Sequence, residues 1–515
     1  MLIFLKSKKL NKTLNYLKGI SYFWNPFFYT MKLKILLFLL LSNFAFASFD
    51  VNENIKNSYK YIINLEFEEA HNLLDLEIES NPNNGFIPLH KNYIDFLTII
   101  IGEEKSYFDN SIQQKEVRME LLESKNEDSP YYLYSQAEIH LQWAFSRLKF
   151  DQYSTAAYEF IKAYKLLEEN QEKFPDFTLN KKGLGLIHAL LGAVPEQFHW
   201  ILNLASLEGG MSLGLSELDE VLNDENFKMY ENEVLFLLSF LQINLNENDA
   251  ISQQYLDRIG DGFKENILLN FTAARLSHNL GENELTLKIL EDKPSSLSAF
   301  PFHYLNYLQG MSYLYQLNYE NAKQQFEVFL GDFNGINYIK SAYHKLAWIS
   351  FLQGEDDNYF EKVITEGNTS IDEDKVALKD ANKNYITHSR LLKTRLLYDG
   401  GYYEKALLDL SGVKIIKDYS GFYDEYWYRL ARIKSKLDYD DKEIIEHFQL
   451  SIDQGKNSAN YYAPMSALQI ALIYEKQNEL DKAAIYFEKC LSMSDFDYER
   501  GIHQKAKSGL VRISD

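Results

Sequence analysis

From Ser466 to Leu491 the chain reads SALQIALIYEKQNELDKAAIYFEKCL. Ala467, Ile470, Ala471 and Tyr474 fall at helical spacing on one face, and Ala483, Phe487 and Cys490 do the same in the following stretch. Gln477-Asn478 sits between them as a turn, so the segment predicts two helices packed back to back. Counting from Ala471, an aromatic residue follows three positions on, an alanine twelve positions on, and a phenylalanine four positions after that. Small residues at the crossing let two backbones approach, and the rings fill the space that opens beside them.

The same spacing recurs along the chain. Gly310, Tyr313, Ala322, Phe326 and Phe329 repeat it closely. So do Ala144, Ala156, Phe160 and Ala163, and Ser58, Tyr61, Ala70 and Leu74 with Pro82 beyond them. Trp427, Leu430 and Ala431 open another copy whose second half, Ile444 and Phe448, comes one residue late. Leu397, Ala406 and Leu410 form a weaker unit, and Ala347 with Phe360 is degenerate. This small–aromatic–alanine–aromatic framework resembles the tetratricopeptide repeat (TPR), unevenly, from about residue 53 to 513. The resemblance implies antiparallel helix pairs stacked as a right-handed superhelix, and a non-enzymatic scaffold that takes protein or extended-peptide ligands on an inner groove. Inner positions would come from the first helix of each pair, without assignment to particular residues.

Apolar residues occupy more than one face of each predicted helix, so an isolated pair would leave a face wet and neighbours must cover it. No sustained alternation of apolar and polar residues appears, and no Asn-Gly or Asp-Gly hairpin between such runs. The expectation is an all-α solenoid of about twelve helix pairs, each of roughly 34–40 residues. The 37 Tyr and 34 Phe are enough to supply a ring to every unit, which makes most of them core. A cluster of Pro and Ser from Lys293 to Pro301 is loop-like and predicts a division into halves at 48–293 and 302–515.

Charge narrows the partners. Net charge over 515 residues is −21, and the first 47 residues hold seven lysines and no acid, so the remainder carries −28. A phosphate backbone is repelled by such a surface, which argues against nucleic acid and admits neutral or basic protein ligands. From Met31 the sequence MKLKILLFLLLSNFAFAS has two lysines, an apolar run from Leu33 to Leu41, and Ala45 and Ala47 before Ser48. That layout predicts a signal peptide with its start at Met31 and cleavage after Ala47, residues 1–30 being an N-terminal extension. The apolar run is shorter than the roughly 20 residues a spanning helix needs, so a retained anchor is the lesser alternative. Export to the periplasm or the medium follows. Cys490 is the sole cysteine, which excludes an intramolecular disulfide and leaves none after the leader to carry a lipid.

Residues 183–214 hold six of the 24 glycines. Gly185, Ala189, Gly192 and Ala193 share a helix face, Pro195 suits the first turn of a following helix, and a tight crossing is expected. This stretch is similar to a segment of tetratricopeptide-type proteins that include fungal inclusion-body-clearance proteins. Gly210-Met211-Ser212-Leu213-Gly214 matches the G-x-S-x-G pattern of serine hydrolases, which requires a strand before the serine; the preceding residues have helical spacing instead. His188 and His199 lack an H-E-x-x-H frame, Glu68 and His71 are half of one di-iron pair, and the acidic runs at Asp356-Asp357, Asp372-Glu373-Asp374 and Asp438–Asp441 lack a calcium loop's glycine and terminal glutamate. The sequence therefore assigns no catalytic, cofactor or metal residue. Two other classes stay open: a carbohydrate or nutrient-capture protein, on the aromatic content, and a hydrolase using Ser212.

Overall fold

The computed structural model describes residues 48–192, 209–246, 248–296, 298–384, 386–411, 421–456 and 458–514. The leader, its start and its cleavage point, and Ala193, Pro195 and His199, lie outside the described residues. Among the described residues there are twenty-four α-helices and no strand, and no helix is long and apolar enough to cross a membrane.

Twenty-two of the helices form eleven consecutive pairs. In chain order these are α1 (Glu53–Ile63) with α2 (Phe67–Ser80), α3 (Phe86–Gly102) with α4 (Lys105–Glu123), α5 (Pro130–Lys149) with α6 (Tyr153–Lys173), and α7 (Asn180–Leu191) with α8 (Met211–Leu222). Next come α9 (Glu231–Leu241) with α10 (Asp249–Ile259), α11 (Ile267–Asn279) with α12 (Asn283–Glu291), α13 (Tyr304–Tyr315) with α14 (Tyr319–Asp332), and α15 (Ile339–Gln353) with α16 (Tyr359–Thr365). A single helix, α17 (Asp372–Asn382), precedes α18 (Ser389–Asp399) with α19 (Tyr403–Ser411), α20 (Tyr423–Lys436) with α21 (Asp441–Gln454), and α22 (Tyr462–Lys476) with α23 (Leu480–Leu491). The last helix, α24 (Glu499–Ser514), covers the final pair.

One turn joins most pairs. A residue in the left-handed region follows the first helix, and the next backbone N–H reaches five residues back to a helix carbonyl: Glu66 to Tyr61, Asn318 to Tyr313 and Glu479 to Tyr474, at 2.9–3.0 Å. This bond ends the first helix by satisfying a carbonyl that has no helical partner. Leu65 and Leu317 occupy the left-handed position at φ 60°, where a side chain normally resists it, while Gly281 and Gly401 take it freely. Asn52, Ser129, Asn266 and Asp440 cap the helices that follow them through their side-chain oxygens.

The repeat positions are where the sequence spacing puts them. Ala70, Ala156, Ala322, Ala406 and Ala483 are all buried on second helices, with Leu74, Phe326, Leu410 and Phe487 beside them. A Cβ on Gly310 would stand 2.9 Å from the Phe326 ring, so the ring fills the room the missing side chain leaves. Each such fully buried Phe or Leu stabilises the fold by roughly 1.5–3 kcal/mol.

The stack also returns on itself. The turn after α1 meets residues far along the chain: the Asn64 side chain accepts from Ile267 N at 2.9 Å, Leu65 O from Phe300 N at 2.8 Å, and Glu69 from Ser298 Oγ at 2.7 Å. Glu103, after α3, accepts from Asn337 N and its side-chain amide at 2.9 and 3.1 Å. The 293–301 loop is thus docked on the first pair, and a single apolar core runs from Ile55 to Leu308.

Candidate functional site

First helices pack on the first helices of neighbouring pairs, the side that the repeat resemblance makes the inner face, and the two ends of the stack treat it differently. In the N-terminal part, five of them send polar side chains to one point: Tyr59 from α1, Tyr93 from α3, Glu138 from α5, Lys182 from α7 and Glu233 from α9. Lys182 Nζ donates to Tyr93 Oη at 2.8 Å, to Glu138 Oε2 at 2.8 Å and to Glu233 Oε2 at 2.9 Å. Tyr93 Oη also donates to Glu138 at 2.6 Å, and Tyr59 Oη donates to Glu233. Burial opposes the charge on Lys182, and the two glutamates outweigh it, so the ammonium is held above the ordinary lysine range. Burial, together with the Glu233 charge, pushes the Glu138 carboxyl up against the pull of Lys182. With Lys182 only 2% exposed, this part of the inner face is filled by the chain itself.

The C-terminal inner face is different. Here α18 packs into the angle between α13 and α15, with Leu392 and Leu396 in one core with Tyr315, Trp348 and Ile349. Above that core Lys345 Nζ lies 3.8 Å from the Trp348 ring centre and the Arg395 guanidinium 5.1 Å from it. One repeat on, Arg432 sits 4.0 Å over Tyr398 and 5.3 Å from Tyr428, and Arg429 pairs with Glu425 through Nε at 2.7 Å. Tyr461 and Tyr462 continue the aromatic lining at the start of α22, and Lys379 of α17 pairs with Asp497.

Lys345, Arg395 and Arg432 have no hydrogen-bond acceptor among the described residues. The nearest carboxylate to Arg395 is Asp399, at 3.6 Å, and the Arg395 side chain keeps 37% of its surface accessible. Burial, then the neighbouring Arg395 charge, brings the Lys345 amine down to about 7. Burial pushes Asp380 up while Lys345 and Arg395 oppose it, and its carboxylate lies 3.6 Å from the buried His344 Nε2, which has no hydrogen-bond partner. The arrangement offers cationic and aromatic surface with its donors unspent, suited to binding an oxygen-rich ligand.

None of these residues was singled out by the sequence. A signal existed in hindsight: Lys345 and Trp348, and Arg429 and Arg432, stand three apart in otherwise repeat-like first helices. The serine, histidine and acidic motifs lie elsewhere. Ser212 is exposed on α8, one residue inside a helix that no strand precedes among the described residues. The glycines around it serve the crossing of α7 and α8: a Cβ on Gly214 would collide with Gly185 O and Ala189 N, and one on Gly185 would stand 2.8 Å from Gly214 O. His188 bonds Glu217 at 2.5 Å in the same crossing. Glu68 and His71 are exposed, and no group of three metal-type ligands occurs among the described residues. Asp374, in one of the acidic runs, has a structural role. It is buried and accepts from Tyr338 N and Ser341 N at 2.8 Å, capping α15.

No family model matches the chain, and no curated protein matches its sequence. Solved structures align over most of it. Yeast Tom70 is 12% identical, covering 89% of this chain and 88% of that one at a TM-score of 0.22. The Cut9–Hcn1 hetero-tetramer of APC/C is 11% identical over 89% and 95%, at 0.27, and Naa15/Naa10 bound to HypK-THB is 13% identical over 89% and 66%, at 0.23. Scores this low leave the fold resting on the chain's own helix pairs, repeated turns and alanine crossings. The fold is tetratricopeptide-like.

Proposed function

We propose that the chain is an exported, non-enzymatic scaffold that holds a segment of another protein against the C-terminal inner face, between α15 and α22. The observation that carries this reading is the contrast between the two inner faces. One is closed by Lys182 and its partners; the other leaves Lys345, Arg395 and Arg432 half-buried with no hydrogen-bond acceptor among the described residues, Asp399 standing 3.6 Å from Arg395. Half-buried ammonium and guanidinium donors without hydrogen bonds cost stability, so their grouping is better accounted for by a ligand than by folding. A face assembled from side chains of successive helices offers an extended chain repeated contacts, with the Tyr398 and Tyr461 rings beside the charges.

Export rests on the leader-like sequence from Met31 to Ala47. Affinity capture from the native envelope at low and high salt, using wild type and Arg395→Gln/Arg432→Gln, tests the scaffold reading. Partners retained by wild type and lost by the variant are expected; identical captures overturn the placement of the site. N-terminal sequencing of the protein from its host tests export, the expected first residue being Ser48, and a chain still carrying Met31 removes it.

A further inference from the structure

Lys345 makes no hydrogen bond among the described residues, so the fold leaves its amine unspent. We infer that Lys345 is a nucleophile that captures a small aldehyde as a Schiff base at the inner face, a function that goes beyond holding a protein segment.

Geometry sets this amine apart. Lys345 is half-buried on α15, with Nζ 3.8 Å from the centre of the Trp348 ring. The Arg395 guanidinium, from α18, stands 5.1 Å from the same centre, so two cations share one ring. Lys379 of α17 pairs with Asp497, and Tyr461 meets Tyr498 edge-on at 5.5 Å. Asp497 bears on Asp380, and Tyr498 on Arg395, which places the turn before α24 on the amine's side of the groove. Set among α15, α17 and α18, the amine admits a small reagent rather than a bulky one.

Charge sets it apart as well. A protonated lysine has no lone pair to offer, and burial or a neighbouring cation favours the neutral form. Both act here. Against them stand Glu373 and Asp380 on α17, Asp399 on α18 and the face of Trp348, each of which favours the ammonium. His344, the adjacent residue on α15, adds no charge because burial keeps it neutral. Burial and Arg395 win, bringing the Lys345 amine down to about 7.

An aldehyde is the electrophile that suits such an amine, because addition needs no leaving group and no activated donor. The nitrogen lone pair bonds to the carbonyl carbon while the C=O π pair moves to oxygen; a proton then passes from nitrogen to that oxygen, giving a carbinolamine. Loss of the hydroxyl together with the remaining N–H proton, as water, leaves a C=N bond. Amine and aldehyde give imine and water, with nothing oxidised or reduced and no third reactant.

Reductive alkylation of the purified protein with propanal and cyanoborohydride, followed by peptide mass spectrometry, reads the site. At pH 7 roughly half of an amine titrating near 7 is unprotonated, against about one in two thousand for an ordinary lysine. Lys345 is therefore expected to be alkylated roughly tenfold or more faster than the exposed Lys228 and Lys456, its rate levelling above about pH 8 while theirs keep rising. Unfolding in urea is expected to abolish the preference. Arg395→Gln removes the like charge and is expected to slow Lys345 at pH 7 by about threefold or more. Equal rates at Lys345, Lys228 and Lys456 in protein shown to be folded by circular dichroism overturn the inference. A preference that survives urea, or a folded Arg395→Gln that keeps the full rate, overturns it too. Capture of protein partners is read separately, so loss of the adduct leaves the scaffold standing.

Discussion

Replacing Lys182 with methionine keeps the aliphatic stem and removes the ammonium that joins five first helices. Glu138 and Glu233 both accept from it, at 2.8 and 2.9 Å, and Glu138 is 3% exposed. Without it two carboxylates are left facing one another, Glu138 buried and Glu233 with 15% of its side chain accessible. Breaking a buried pair by removing one partner costs about 3–5 kcal/mol, because the remaining charge is left uncompensated. The N-terminal core runs from Ile55 to Leu308. For a cooperative unit near that size, each kcal/mol lowers the melting midpoint by about 2–4 °C, giving an expected fall of roughly 6–20 °C. Thermal unfolding followed by far-ultraviolet circular dichroism reads it. Two further measurements separate this cause from simple loss of packing. Adding Glu138→Gln to Lys182→Met removes one of the stranded charges and is expected to recover part of the loss. Lowering the pH does the same by protonation. A carboxyl held above its unfolded value binds its proton preferentially in the folded chain, so the deficit shrinks as pH falls from about 7 toward the ordinary glutamate value near 4.3. A Lys182→Met protein melting within about 2 °C of wild type, or a deficit that does not change with pH, refutes the account of the closed inner face.

Glu159 is buried with Lys115 Nζ at 2.7 Å, His140 Nδ1 at 2.5 Å and Arg147 Nε at 3.2 Å. Burial raises its carboxyl and the His140 and Lys115 bonds outweigh that, bringing it down to about 2. Its contribution is therefore complete above the unfolded value and is lost as pH falls toward 2, so the melting difference between wild type and Glu159→Gln narrows across that window. Lys345, brought down to about 7, sheds its proton more readily folded than unfolded. The penalty for its charge is full below 7 and fades toward the ordinary lysine value, so Lys345→Met raises the melting temperature more at about pH 6 than at about pH 9; an equal rise at both removes that assignment. At the α7–α8 crossing, Gly214→Ala forces a methyl onto Gly185 O and Ala189 N and is expected to cost about 1–3 kcal/mol or more, whereas Ser212→Ala, exposed on the same helix, stays within about 0.5 kcal/mol by denaturant unfolding.

The helix pairs themselves were legible because their signal is local. Ala70, Ala322 and Ala483, each followed four residues on by Leu74, Phe326 or Phe487, report a crossing between helices that are neighbours in the chain. Such contacts span a few tens of residues and leave a fixed spacing behind. The joining turns were less legible: Leu65 and Leu317 hold a left-handed conformation that their side chains disfavour, imposed by the packing on either side.

The amino-acid order by itself determined the all-helical class, the period of the repeat, the alanine crossings and the glycine-rich contact of α7 with α8, since each depends on residues close in the chain. Only the tertiary structure decided which inner positions were filled. Lys182 meets Glu233 from 51 residues away, and Arg395 shares a ring with Lys345 across two intervening helices, α16 and α17. Convergence of that kind is set by how far each pair rotates on the last, a quantity summed over many packing contacts and written in no single stretch of sequence.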